Sequence, residues 1–326
     1  MTRSPLGDPG PAGPARTIFF GSGAFAVPIL EALLGDELVQ VVGVVSAPDR
    51  PAGRGGASTS VPVAIRAREA GVALLQPVRL READPIAAIG GLEPDLGVLA
   101  DYGRLVPPEV LELPARGFLN LHPSLLPRHR GAAPIPAAIL AGDPETGVTL
   151  MRMDAGLDTG PVIAAERWPL TGLETAPEIE DQAAMAGARL LTAMLPDWLA
   201  GRIEPRPQDE ALATLTKPLR RADGRLDPSQ PSAELERRVR ALQPWPGTFL
   251  ELRGGGRVAI HQAALEPGDP GDRAGTLVAA GDGVALVTAD ARLQLSEVQP
   301  AGGRRMSGAE WRRGRPGIIG SSVDGS

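Results

Sequence analysis

Hydrophobic residues along the chain come in short runs, and their spacing changes from run to run. Thr17–Gly21 is a β-branched and aromatic run that ends in glycine. Ala26–Leu34 has apolar residues at helical spacing, and Val39–Val45 is β-branched again. That is strand, helix, strand at the spacing of a βαβ unit. The pattern goes on to predict helices over Val61–Ala70, Pro108–Leu113, Ala132–Ala141 and Thr175–Leu199. Strands are predicted over Asp95–Ala100, Phe118–Leu121, Gly147–Met153 and Val162–Leu170. Alternation of this kind predicts an α/β fold with a doubly wound, mostly parallel sheet and helices on both faces.

The pattern changes after Gly201. Residues 202–232 are polar and carry Pro205, Pro207, Pro218, Pro228 and Pro231. Ala233–Leu242 is an amphipathic helix. Beyond it the pattern predicts strands over Thr248–Leu252, Arg257–Leu265, Gly275–Ala279, Gly283–Val287 and Leu293–Val298. Short, evenly spaced strands with Gly-rich turns predict a small antiparallel β-barrel. The expected organisation is a flexible tail over 1–15, a first domain over 16–204, a linker over 205–222 and the barrel over 223–326.

Composition narrows the chemistry. The 326 residues include no cysteine, which excludes disulfides, thiolate metal sites and a cysteine nucleophile. His122, His129 and His261 are the only histidines and Lys217 the only lysine, so no metal centre is expected and a Schiff base has one candidate. No apolar run reaches the length of a membrane span, and Met1–Ala15 lacks the apolar core of a signal peptide. A cytoplasmic monomer is expected. Residues 1–205 carry 16 basic and 24 acidic side chains, and residues 206–326 carry 17 and 15. The C-terminal part is thus mildly basic within an acidic chain, and local potential governs attraction of phosphate more than net charge does.

Gly21-Ser22-Gly23-Ala24-Phe25-Ala26 matches the G-x-G-x-x-A pattern of dinucleotide sites. The acidic residue such sites need near the end of the second strand is missing, because that strand ends at Val45-Ser46. The glycines are therefore read as a tight turn that needs close backbone approach.

The segment from Phe118 to Gly160 is more informative. Asn120 and His122 lie two apart at the end of a predicted strand and so share one side of it. Pro123–Pro134 is a loop stiffened by proline. Asp154 and Asp158 lie in a glycine-flanked turn. An amide, an imidazole and a carboxylate suit acyl transfer to an amine. The amide can stabilise an oxyanion, the imidazole can move a proton, and the carboxylate can orient the imidazole.

Asn120-x-His122, Ser124-Leu125-Leu126-Pro127 and the distant Asp158 resemble the catalytic signature of the folate-dependent formyltransferases. The resemblance implies that Asn120, His122 and Asp158 are the catalytic trio. It implies that Ser124, Leu125, Leu126 and Pro127 lie along 10-formyltetrahydrofolate, the formyl donor, with no metal. Three more segments are similar to the branch of that family acting on initiator methionyl-tRNA. They are Pro48–Gly55, the Arg128–Pro134 tail of the loop, and Gln243–Gly247 taken with Gln299–Gly302. This implies contacts to the tRNA from Arg50 and Arg54, and a C-terminal barrel of the oligonucleotide-binding type. The chain departs from the family at Gly23-Ala24, at Gly56-Ala57-Ser58 and at His129. Trp245 is expected in a core or as a plug between domains, with a base-stacking platform as the alternative. A sugar-nucleotide or other amine formyltransferase is the alternative within the family, and an idle RNA-binding protein is the alternative outside it.

Overall fold

The computed structural model describes residues 13–52 and 57–324. The first elements are β1 (Ala15–Gly21), α1 (Ala26–Leu34), β2 (Val39–Val45), β3 (Arg50–Ala52), β4 (Ala57–Thr59), α2 (Pro62–Glu69) and β5 (Leu74–Leu75). They are followed by α3 (Ala83–Gly90), β6 (Leu96–Ala100), α4 (Pro108–Leu111), β7 (Phe118–His122), β8 (Arg130–Gly131) and α5 (Pro134–Ala141). Then come β9 (Glu145–Arg152), β10 (Val162–Pro169), α6 (Ala176–Leu199) and β11 (Leu215–Thr216). The chain forms two compact units. One comprises the described residues up to Pro134 with Glu145–Pro169 and Glu180–Thr216; the other comprises Ile135–Pro144, Leu170–Ile179 and the described residues from Lys217 on.

The first unit is built on a seven-stranded sheet of order β10-β9-β7-β6-β1-β2-β5. The five strands from β7 to β5 are parallel, and β9 and β10 add an antiparallel edge. Successive residues of β1 point to opposite faces. Phe19 packs with Ile29 and Leu33 of α1 and Leu191 of α6, while Ile18 and Phe20 pack with Ile89 of α3 and Val110 of α4. Both faces are covered, which explains why the parallel strands read as unbroken apolar runs. Aromatics are few, and Phe20 meets Tyr102 and Phe118 edge-on, each with ring centroids 5.3 Å apart.

Several small elements were not predicted. Helix α3 holds a proline in its first turn, where proline is tolerated, but a proline read from sequence argues against a helix. Strands β5, β8 and β11 have two residues each, too few for a period to register. The predicted bounds of the larger elements differ from the observed ones by a residue or two, as fraying ends do.

The second unit contains α7 (Ser232–Ala241), β12 (Thr248–Glu251), β13 (Arg257–Glu266), β14 (Leu277–Ala280), β15 (Gly283–Val287), β16 (Arg292–Pro300), β17 (Met306–Ser307) and α8 (Gly308–Gly314). Its antiparallel sheet has the order β12-β13-β16-β15-β14, with β17 on β16. The C-terminal segment joins the two ends of that order. Arg253 N donates to Ser322 O at 2.8 Å, and Val323 N donates to Gly275 O at 2.8 Å. The segment thereby bridges Leu252, just past β12, and Thr276, just before β14. Leu235 and Val239 of α7, Trp311 of α8 and alternate residues of the strands fill the core of this unit. Trp245 lies outside that core: it is 53% exposed, with the Arg221 guanidinium 5.6 Å from its ring. It sits between Pro244 and Pro246 on the Gln243–Gly247 turn.

Candidate active site

Strand β7 delivers Asn120 and His122, and the turn between β9 and β10 delivers Asp158. All five residues of β7 are buried. The chain leaves β9 at Arg152 beside Leu119 and folds back, so that the carboxylate returns to face the strand. Asn120 Nδ2 donates to Asp158 Oδ1 at 3.3 Å. His122 Nδ1 lies 3.7 Å from Asp158 Oδ2, and the Gly131 amide donates to the same oxygen at 2.8 Å. The other imidazole nitrogen, Nε2, lies 2.9 Å from the carbonyl of His129. A carbonyl only accepts, so Nε2 carries a hydrogen and donates. Nδ1, facing the carboxylate, is therefore the nitrogen whose proton can come and go. Asp158 adopts φ = 52°, a left-handed conformation uncommon outside glycine. Asp154, the other carboxylate of the turn, is used within it. It accepts from Gly156 N at 2.9 Å and from Thr159 Oγ1 at 2.7 Å.

The loop after β7 is held by hydrogen bonds of its own. Ser124 is 1% exposed, and its hydroxyl donates to Arg128 O at 2.7 Å. Thr149 Oγ1 donates to Ser124 O at 2.7 Å and accepts from Leu126 N at 3.1 Å. Leu125 packs on Gly147, where a Cβ would meet its Cδ2 at 2.4 Å. Leu125, Leu126 and Pro127 are half-buried. Strand β11 then pairs with β8 and clamps the loop from the far side. Thr214 Oγ1 accepts from His129 N at 2.8 Å, and Thr216 Oγ1 accepts from Ala133 N at 3.0 Å. At Gly131 (φ = 107°) a Cβ would stand 2.6 Å from Thr216 O, so only glycine fits. The arrangement supplies a rigid loop, an amide donor, an imidazole and a carboxylate within one hydrogen-bonded cluster.

Known proteins share this architecture across both units. Residues 15–195 match the family described as formyl transferase, and residues 218–316 match the formyl transferase C-terminal domain. The chain belongs to the formyl transferase family. A methionyl-tRNA formyltransferase from Halorhodospira halophila is 46% identical, covering 95% of this chain and 99% of the relative. Among solved structures, the N-formyltransferase from Helicobacter canadensis, in complex with folinic acid and dTDP-3-aminofucose, has a TM-score of 0.65 at 17% identity. That match covers 86% of this chain and 98% of the other. HypX from Aquifex aeolicus, in complex with tetrahydrofolic acid, has a TM-score of 0.61 at 20% identity. It is a longer protein: the match covers 91% of this chain but only 47% of HypX. At those identities the two structures speak for the fold alone.

In this formyl transferase the glycine turn after β1 has a carboxylate seated on it. A Cβ on Gly23 would lie 1.7 Å from Asp101 Oδ2, and the Gly23 amide hydrogen-bonds that carboxyl. The turn's donor thus goes to a side chain of the protein itself, in keeping with the close-approach reading of its glycines. Asp101 is exposed as a residue, but its carboxyl is desolvated in this crevice. Burial and the Glu180 carboxylate push its pKa up to about 6. Glu180 is raised as well, by burial first and then by Asp181. With a folded pKa above the unfolded one, the native state holds the Asp101 proton longer than the unfolded chain does. Stability should therefore fall as pH rises from about 4 to about 6 and stay lower above that. Asp101→Asn is expected to melt higher than the wild type at neutral pH and equally at about pH 4. Thermal scans at the two pH values check this; the same difference at both would rule the charge out as its cause.

Arg54 lies outside the described residues, and of Arg50 only the backbone is described, in β3 paired with β4. The base of that hairpin is tied down by Asp49. Its carboxylate accepts from Ser60 Oγ at 2.9 Å, Arg68 Nη2 at 2.9 Å and Gln76 Nε2 at 2.8 Å. These bonds, led by Gln76 and Ser60, hold the Asp49 pKa below its usual value. Among the described residues, no three His, Cys, Asp or Glu side chains stand together as a metal site. No helix among them is long and apolar enough to cross a membrane. Arg130, Gln208, Thr214 and Thr216 were not singled out from sequence. Three of them lie in the polar stretch after Gly201, whose pattern carries no sign of a tertiary role.

Proposed function

We propose that this enzyme transfers the formyl group of 10-formyltetrahydrofolate to the amino group of methionine carried on initiator tRNA. The observation that carries the reading is Asp158, which bonds Asn120 and faces His122 from 38 and 36 residues away in sequence. A family member 46% identical over nearly the whole of both chains bears the matching activity in its name. In this reading 16–204 is the catalytic domain, 223–326 the tRNA-binding domain and 205–222 the connection between them, whose residues up to Thr216 pack on the catalytic unit. The enzyme works as a cytoplasmic monomer.

The amine attacks the formyl carbon, and the carbonyl oxygen becomes an oxyanion. Asn120 has two amide hydrogens; Asp158 takes one, which leaves the other for that oxygen. A proton must leave the attacking amine and another must reach N10 of the departing tetrahydrofolate. His122 Nδ1 exchanges protons while Asp158 balances the charge it gains. The loop over Ser124, Leu125, Leu126 and Pro127 lies along the folate, where its internal hydrogen bonds keep it in shape. Arg50 and Arg54 contact phosphates of the acceptor end, a geometry that guanidinium groups suit.

The test is formyl transfer from 10-formyltetrahydrofolate to methionyl-initiator tRNA, with methionyl-elongator tRNA, free methionine and an amino-sugar nucleotide as controls. Fast transfer to the initiator alone is expected. Transfer to the sugar nucleotide without tRNA would overturn the assigned acceptor.

A further inference from the structure

Gln208 occupies a position that its surroundings determine completely. Its Nε2 donates to Asp158 O at 2.8 Å and to Gly160 O at 2.7 Å. Its Oε1 accepts from Arg130 Nε at 3.0 Å and from Arg130 Nη2 at 2.8 Å. The four hydrogen-bonding positions of the amide are therefore all filled. Flipping the amide would set NH2 against a guanidinium and an oxygen against two carbonyls, so the orientation is unambiguous. Arg130 is fixed in turn. Its side chain is 4% exposed, and it pairs with Glu210 through Nη1 at 2.9 Å and Nη2 at 2.7 Å.

The chain on either side of Arg130 reaches the trio directly. His129 O accepts from His122 Nε2, and Gly131 N donates to Asp158 Oδ2. Three consecutive residues thus hold the imidazole, the Gln208 amide and the carboxylate. A non-glycine residue at φ = 52° persists only where its surroundings impose that conformation. The bonds from Gln208 to the carbonyls of Asp158 and Gly160 grip the backbone at that point.

We propose that Gln208, locked by Arg130, is a positioning residue that sets the Asp158 carboxylate opposite His122. The proposal rests on the reaction assigned above, and one of its tests does not need that reaction. Gln208→Glu is nearly isosteric. It keeps the acceptor for Arg130 and sets an oxygen against two carbonyls where two N–H groups stood. The expected result is a fall in kcat of about 10- to 100-fold, the scale of a misplaced catalytic group, with little change in KM for folate or tRNA. In an Asp158→Asn background the same substitution should cost less than about twofold, because the carboxylate it positions is gone. Amide exchange read by NMR should show faster exchange at Gly131 in Gln208→Glu and no change at distant strand amides.

An equal loss in both backgrounds, or a raised KM at unchanged kcat, would overturn the proposal. So would a Gly131 amide as protected as in the wild type. Failure of the wild type to formylate tRNA would count against the assigned reaction instead, and the Gly131 exchange would still decide whether the brace holds Asp158.

Discussion

Replacing His122 by Ala, or Asp158 by Asn, is expected to lower kcat for formyl transfer by about 10²- to 10⁴-fold, or roughly 3–5 kcal/mol of transition-state stabilisation. Affinity for tRNA should stay within about twofold of wild type, since neither side chain lies where a phosphate contact is assigned. The expectation follows from the hydrogen-bond pattern. His122 has one nitrogen committed to His129 O, so the whole of its proton chemistry runs through Nδ1, and Asp158 is the carboxylate at that nitrogen. The two substitutions should also fail to add, because groups that act as a unit lose their joint effect once either is removed. Steady-state rates of the two single variants and the double variant, with tRNA binding measured separately, check both points. Matching losses of kcat and tRNA affinity would mean that the trio holds substrate and does not act on it.

Gly160→Ala is expected to have a large effect although it touches no reacting group. A Cβ there would stand 1.9 Å from Arg152 O and 3.3 Å from Asp154 N, both backbone atoms that no rotamer change can move. Arg152 N donates to Pro161 O at 3.0 Å, so β9 and β10 close on each other at this point. The methyl group must push the strands apart or push the turn away. Overpacking of this kind costs about 1–3 kcal/mol, and a backbone clash lies at the upper end of that range. The melting temperature of the first unit should fall by several degrees, about 2–4 °C for each kcal/mol in a unit of its size. Because Asp158 is carried on the same turn, kcat should fall by about 100-fold as well. A variant that melts like the wild type at full activity would mean that the turn has freedom the hydrogen bonds of Asp158 and Gln208 do not suggest.

Much of this fold was legible in the pattern of side chains. α1 and β2 have the bounds that the spacing predicts, and the short-strand rhythm predicted from Thr248 on matches the strands of the antiparallel sheet. The two-residue spacing of Asn120 and His122 on a strand, and the glycine-flanked turn holding Asp158, are visible in the sequence, and the structure brings these three side chains together. Local periodicity is a property of the chain, so a chain can be read for it. Short elements such as β8 and β11 have no period to read, and the proline of α3 argues against the helix it begins.

Spacing along the chain left Asp154 and Asp158 alike, and only the resemblance to the family singled out Asp158; the tertiary structure shows which of the two faces β7. Asp154 accepts through Oδ1 from Gly156 and Thr159 of its own turn, while Asp158 turns toward β7. The tertiary structure alone decided the partners of that carboxylate. Gln208 lies 50 residues from Asp158, and Arg130 lies 78 residues from Gln208. Contacts between residues so far apart depend on where the backbone places their carbonyls and amides. A hydrogen bond is fixed by distance and angle within a few tenths of an ångström, and no spacing rule along a chain carries that information.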